Sequence, residues 1–182
     1  MDRDRMLEVG VGLVSRFGAR ALSLTSVARH AGVARATAYR MFGGRDALVE
    51  AIVANELDQL RVRLAEWVDG EDDPAQRLRI RITRSLEYIR GHEALQYVLR
   101  REPEEIVHAI ISTGDDDGLS LVERVVDVTM QDVTEAESVV LQPNPRAATE
   151  FLVRVVYSCM LVPHSAMTDD EVADLVVRAV VR

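Results

Sequence analysis

The chain has 182 residues, of which 48% are hydrophobic and 29% charged, and its formal net charge is −8. That balance excludes a disordered chain and fits one compact unit, or two small ones sharing a core. A single cysteine, Cys159, excludes an internal disulfide framework and a cysteine-rich zinc site, and ten Gly with five Pro are too few for a turn-rich sandwich.

The charge is unevenly spread. Residues 1–45 hold eight arginines against Asp2, Asp4 and Glu8, a local balance of +5 that leaves −13 for the remainder. A polyanion responds to the local patch rather than to the sum. All 22 basic residues are Arg. The longest apolar stretch, Leu152 to Pro163, contains Arg154 and is shorter than the ~20 residues of a membrane span. The opening Asp2-Arg3-Asp4-Arg5 is not followed by the apolar core of a signal peptide, so a cytoplasmic protein without membrane contact is expected.

In chain order, Met6, Gly10, Leu13, Val14 and Phe17 fall at helical spacing and predict a helix from about Arg3 to Phe17, with Gly18 just past its end. Ser23 stands where an N-cap belongs, ahead of a short helix Leu24 to Ala31. Gly32 supplies a positive φ turn, and another short helix runs from Arg35 to Phe42 until Gly43-Gly44. A long amphipathic helix then starts at Arg45, turns Leu48, Ile52, Leu60 and Leu64 inward, and reaches Trp67 or Val68. The acidic stretch Asp69 to Pro74 is a break.

Beyond it, Leu78, Ile82, Leu86 and Ile89 mark a fifth helix closed by Gly91, and Leu95 to Leu99 a short sixth. A turn or two of helix covers Ile106 to Ile111, and Gly114 to Gly118 is a loop. Leu119 to Val133 is helical by period. Pro143-Asn144-Pro145 breaks the chain before a helix from Arg146 to Val162, and Thr168 caps the last helix, with Asp169, Asp170 and Glu171 in its first turn. The valine-rich runs 122–128 and 176–181 show a helical stripe rather than alternation, so the fold class is all-α.

The segment Ser23 to Arg45 carries the chemistry. Two short helices around a Gly-containing turn form a helix-turn-helix, in which Ala28 must be small at the crossing and the second helix projects to fit a DNA major groove. Arg35, Arg40 and Arg45 lie within eleven residues that contain no acid. Thr37 and Tyr39 add hydroxyls able to donate to phosphate.

This pattern (Val27-Ala28, Ala31-Gly32-Val33, Thr37, Tyr39, Phe42, then a basic residue opening a long helix) resembles the TetR family of bacterial transcriptional regulators over about residues 6–55. The resemblance implies an all-α homodimer with an N-terminal three-helix DNA-binding domain and a helical effector-binding domain, most such proteins being repressors released by a small effector. Carried over by position, Thr37 and Tyr39 contact phosphate, Arg45 reaches the DNA backbone, and Ser23 and Thr25 meet a phosphate at the start of the second helix. Arg35, Ala36 and Arg40 are the outward positions that read base edges. Ala36, Ala38 and Arg40-Met41 depart from the residues common in the family and bear on the operator sequence. The expected division is residues 1–45 for DNA binding, a connecting helix 45–68, and residues 69–182 for ligand binding and dimerisation.

The helix Arg146 to Val162 is apolar nearly all round and the last helix adds a stripe, so a second subunit is expected to cover both. Phe151, Val155, Cys159, Val172, Val176, Ala179 and Val180 are the interface candidates. Trp67, Tyr88, Tyr97, Met130, Phe151 and Tyr157 are the candidates for an apolar effector pocket. The expected partners are a double-stranded operator, a small effector and a second copy of the chain; no cofactor, metal or catalytic residue is implied. In this reading a ligand that tilts the long helix shifts the spacing of the two recognition helices. Two rivals are a helical-bundle enzyme or metal protein using Glu105 and His108, an E-x-x-H pair with no second copy, and an interaction module that has lost DNA binding. No Gly-rich phosphate loop or G-x-S-x-G elbow occurs.

Overall fold

A computed structural model describes residues 2–111 and 119–182; the predicted loop Gly114 to Gly118 lies outside them. The described residues form α1 (Asp2–Phe17), α2 (Leu24–Ala31), α3 (Arg35–Phe42), α4 (Arg45–Glu66), α5 (Pro74–Gly91), α6 (Glu93–Arg101), α7 (Pro103–Ile111), α8 (Leu121–Met130), α9 (Glu135–Val140), α10 (Pro145–Leu161) and α11 (Asp169–Val180). They contain no strand; an isolated bridge pairs Leu141 with Val181. None of these helices is long and apolar enough to cross a membrane.

The chain forms two compact units, one of Met1–Asp58 with His92–His108 and the other of Gln59–Gly91 with Ala109–Arg182. The boundary at residue 69 expected from composition does not coincide with either unit. α4 runs from one into the other, and α6 with most of α7 belongs to the N-terminal unit.

In the N-terminal unit, Met6 and Leu7 of α1, Leu24, Val27, Ala28 and Ala31 of α2, Ala38 and Phe42 of α3, and Leu48 and Ile52 of α4 close one core. The spacing of these residues is helical, and each helix turns one stripe inward. The Ile52 side chain of α4 packs onto Gly10 of α1, where a Cβ would lie 2.5 Å from its Cδ1. Ser23 caps α2 by accepting from the Ser26 N–H at 3.1 Å. Gly32 ends α2 at φ +69°, a left-handed conformation that costs an L side chain about 1–2 kcal/mol. Both features match the sequence expectation, and α2 and α3 have the predicted bounds.

In the C-terminal unit, Leu78, Ile82 and Leu86 of α5 pack with Val122 and Val126 of α8, Ala148, Leu152, Val153 and Val156 of α10, and Ala173, Val176 and Val180 of α11. A buried ionic cluster lies beside this core. Arg81 donates to Glu137 and, at 3.2 Å, to the Asp132 carbonyl, and the Arg77 Nε is 3.4 Å from the same Glu137 oxygen.

Some boundaries differ from expectation. The 119–133 helix ends at Met130, and a separate α9 follows, because Thr134 and Glu137 form a capping box that starts a new helix. α6 and α7 are each nine residues, longer than their apolar spacing suggested. α4 stops at Glu66.

Candidate nucleic-acid interface

α3 divides cleanly into two faces. Ala38 and Phe42, four residues apart, are buried, while Arg35, Ala36, Tyr39 and Arg40 are exposed and Thr37 is half-buried. The small Ala38, with no accessible surface, lets α3 sit close on the core and leaves the polar face outward. Arg35 stacks its guanidinium 5.4 Å from the centre of the Tyr39 ring, and Arg40 donates to the Thr37 hydroxyl at 3.3 Å. Both contacts hold the arginines extended over the exposed face while leaving their remaining N–H groups to solvent.

Neither α2 nor α3 has an acid in its first turn, and the α3 N-cap, Ala34, gives no side-chain cap. The helix-terminal amides and three arginines therefore produce a positive surface to which an anion is attracted. Ser23 and Thr25 are exposed at the start of α2. The Ser23 oxygen is occupied by the Ser26 N–H, but its own hydroxyl hydrogen remains available to donate.

Arg45 is committed differently from expectation. Its Nε donates to the Leu22 carbonyl at 3.1 Å and its Nη2 to the Ala19 carbonyl at 2.8 Å, with Nη1 3.2 Å from Asp46. The side chain ties the opening of α4 to the turn between α1 and α2. Its hydrogen bonds go first to the protein's own backbone.

The interface and pocket candidates disperse. Val172, Val176 and Val180 are 5%, 3% and 4% exposed, so they belong to the chain's own core and offer nothing to a second copy. Their i, i+4, i+8 spacing faces α5, and Leu175 and Ala179 lie exposed on the adjoining flank of α11. This corrects the interface expectation at those three positions. Phe151 is exposed, and Val155 and Cys159 are half-buried on one stripe of α10. Burial pushes the Cys159 thiol above its ordinary pKa, which disfavours the reactive thiolate.

Among the pocket candidates, Trp67 and Tyr88 are brought together, ring centres 6.2 Å apart, with Arg63 stacked 5.2 Å from the Tyr88 ring. Met130 accepts from the Thr149 hydroxyl at 3.4 Å. Tyr157 donates to the Leu121 carbonyl at 3.5 Å, and burial raises its phenol pKa. Tyr97 belongs instead to the N-terminal unit, where its ring packs against Gly18, so it does not join the others. Phe151 is a surface residue and not a wall of this group. Arg154 pairs with Glu150 one helical turn away, a structural ion pair.

Glu102 is a residue that sequence reasoning missed. It is 8% exposed, and its Oε2 accepts from the backbone N–H groups of Ala19 at 2.7 Å and Arg20 at 3.3 Å. No local pattern marks a contact across 83 positions. Glu105 of the E-x-x-H pair is engaged with Arg20 at 2.9 Å. Among the described residues no cluster of three or more His, Cys, Asp or Glu could hold a metal ion.

Comparison with known proteins agrees with this geometry. Residues 6–52 match the family described as bacterial regulatory proteins, tetR family. An uncharacterized HTH-type transcriptional regulator of Mycobacterium tuberculosis is 33% identical over 92 residues, which are 50% of this chain and 46% of that protein. The HTH-type transcriptional repressor KstR2 of the same species is 26% identical over 104 residues, 57% of this chain and 52% of the repressor. The chain thus spans about half the length of the curated relatives it matches. The fold is similar over nearly the whole chain to the TetR family repressor AlkX of Dietzia sp. strain DQ12-45-1b, with a TM-score of 0.71 at 19% identity, 99% of this chain and 97% of that one being covered. The transcriptional repressor QsdR of R. erythropolis gives a TM-score of 0.65 at 18% identity, covering 100% and 96%.

Proposed function

We propose that the chain, whose residues 6–52 match the family of bacterial regulatory proteins, tetR family, is a member of that family and a ligand-responsive, DNA-binding transcriptional regulator. In this reading it is a repressor that acts in the cytoplasm, binds a pseudo-palindromic operator as a homodimer, and leaves it when a small apolar effector binds. The observation that carries the proposal is the outward face of α3, where Arg35, Tyr39 and Arg40 are exposed around Thr37 with no acid in the helix. Arg35, Ala36 and Arg40 meet base edges, an Arg pairing bidentately with guanine. Thr37, Tyr39, Ser23 and Thr25 donate to phosphates, and Arg45 supports them from the turn.

The second copy covers Phe151, Val155 and Cys159 of α10 with Leu175 and Ala179 of α11, an apolar stripe of the kind that monomers seldom leave in water. A two-fold axis there presents two copies of α3 to an inverted repeat. The effector contacts the half-buried Trp67, Tyr88, Met130 and Tyr157 of the C-terminal unit. Selection of bound fragments from random duplex DNA tests the whole reading. A recovered inverted repeat is the expected result, and no retarded fragment at low salt, with or without added metabolites, would refute it.

A further inference from the structure

The turn that joins α1 to α2 is held from outside itself, and from two sides. Its N–H groups at Ala19 and Arg20 both point at the Glu102 carboxylate, which stands at the end of α6. Its carbonyls at Ala19 and Leu22 accept from the Arg45 guanidinium at the start of α4. The turn's own backbone adds a bond from the Leu22 N–H to the Ala19 carbonyl at 3.2 Å. A charged acceptor bonds backbone amides about twice as strongly as a neutral one, so the carboxylate and the guanidinium dominate the conformation of this turn.

Gly18 makes the arrangement possible. Its φ is +87°, and a Cβ there would run into the Glu102 carboxylate and lie 2.8 Å from the Tyr97 ring. Arg20 adds ion pairs to Glu104 and Glu105 in the first turn of α7. One residue after this turn, Ser23 opens α2. A shift of α6 and α7 is therefore passed through Glu102 to the helix start that carries Ser23 and Thr25.

We propose that Glu102 is a positioning residue for DNA binding: it latches the α1–α2 turn to the α6–α7 junction, so the state of that junction sets operator affinity without contacting DNA. This rests on the regulator reading given above. The probe is the duplex recovered by selection with the unaltered protein, and Glu102→Gln and Glu102→Ala are compared with it. Glu102→Gln keeps an acceptor oxygen and loses the charge; Glu102→Ala loses both.

The expected result is an affinity about tenfold lower for Glu102→Gln and lower still for Glu102→Ala, with an unchanged slope of log K against log salt because no phosphate contact is removed. Hydrogen exchange at the Ala19 and Arg20 amides should accelerate, while Trp67 fluorescence reports an unaltered C-terminal unit. Faster exchange with unaltered affinity in both variants would overturn the proposal, as would unaltered exchange, or an affinity loss accompanied by a shallower slope. If Glu102→Ala loses helicity overall, Glu102→Gln decides alone. If the unaltered protein retards no duplex, the regulator reading itself falls, and the latch with it; if it binds and both variants bind equally well, only the latch falls.

Discussion

Glu137→Gln should destabilise the C-terminal unit far more than its change of one atom suggests. Glu137 is 3% and Arg81 4% exposed, and Arg77 approaches the same carboxylate oxygen at 3.4 Å. The other Glu137 oxygen accepts from the Thr134 N–H at 2.8 Å as part of the α9 capping box. A glutamine amide offers one acceptor and one donor to these sites, so one of its ends meets a donor. Burial already pulls the Arg81 pKa down, against the pull of Glu137 in the other direction. Removing the carboxylate takes the main counter-charge from two guanidinium groups and leaves Arg81 only the weaker pull of Asp132, which costs about 3–5 kcal/mol for a broken buried pair. For a chain of this size that lowers the melting midpoint by about 10 °C. The consequence reaches α4, because Arg81 donates to the Leu64 carbonyl and Arg77 to the Val68 carbonyl just past its end. Urea unfolding followed by Trp67, the chain's one tryptophan, reads the C-terminal unit directly. The double variant Arg81→Met with Glu137→Gln should recover part of the loss, since the stranded charge is gone. A Glu137→Gln protein within about 1 kcal/mol of the original, or losses that simply add in the double variant, would refute the reasoning.

Arg35→Ala and Arg40→Ala should each reduce the salt slope of DNA binding by about 0.9 where the guanidinium neutralises a phosphate, and relax base preference where it reads guanine; two variants with neither effect would place the DNA elsewhere. Tyr39→Phe should weaken binding and leave the slope unchanged, since a neutral hydroxyl displaces no counterion. Leu175→Glu and Phe151→Glu should give monomers in sedimentation, whereas Val176→Ala should cost about 2 kcal/mol of stability and leave association intact; a persistent dimer in both charged variants moves the interface. Thr168→Ala should cost about 1 kcal/mol through the lost α11 cap. Glu171, held below the usual carboxylate range by the Thr168 backbone N–H and hydroxyl, contributes stability above its unfolded pKa and loses it as pH falls through the folded value. Helicity lost between about pH 5 and pH 2 should therefore be smaller in Glu171→Gln.

The helix-turn-helix was legible because its determinants are local. Ser23 caps within three residues, Gly32 supplies its own φ, and the 3.6-residue period of Leu24, Val27, Ala28 and Ala31 fixes which face is inward. The outward face of α3 follows the same period, and the family resemblance assigns Arg35, Tyr39 and Arg40 to it. The α9 start was also local, a Thr-x-x-Glu box hidden by the valine period on either side. Hydrophobic spacing reports that a stripe is buried but not against what, and this is why Val172, Val176 and Val180 read as an interface although α5 of the same chain packs against them. The contacts that tie Glu102 and Arg45 to residues 19–22, and Arg81 to Glu137, join positions 23 to 83 apart in sequence. A charge that ends a helix is indistinguishable in sequence from one facing water; the fold alone brings an amide, a carbonyl or a second charge within 3 Å of it.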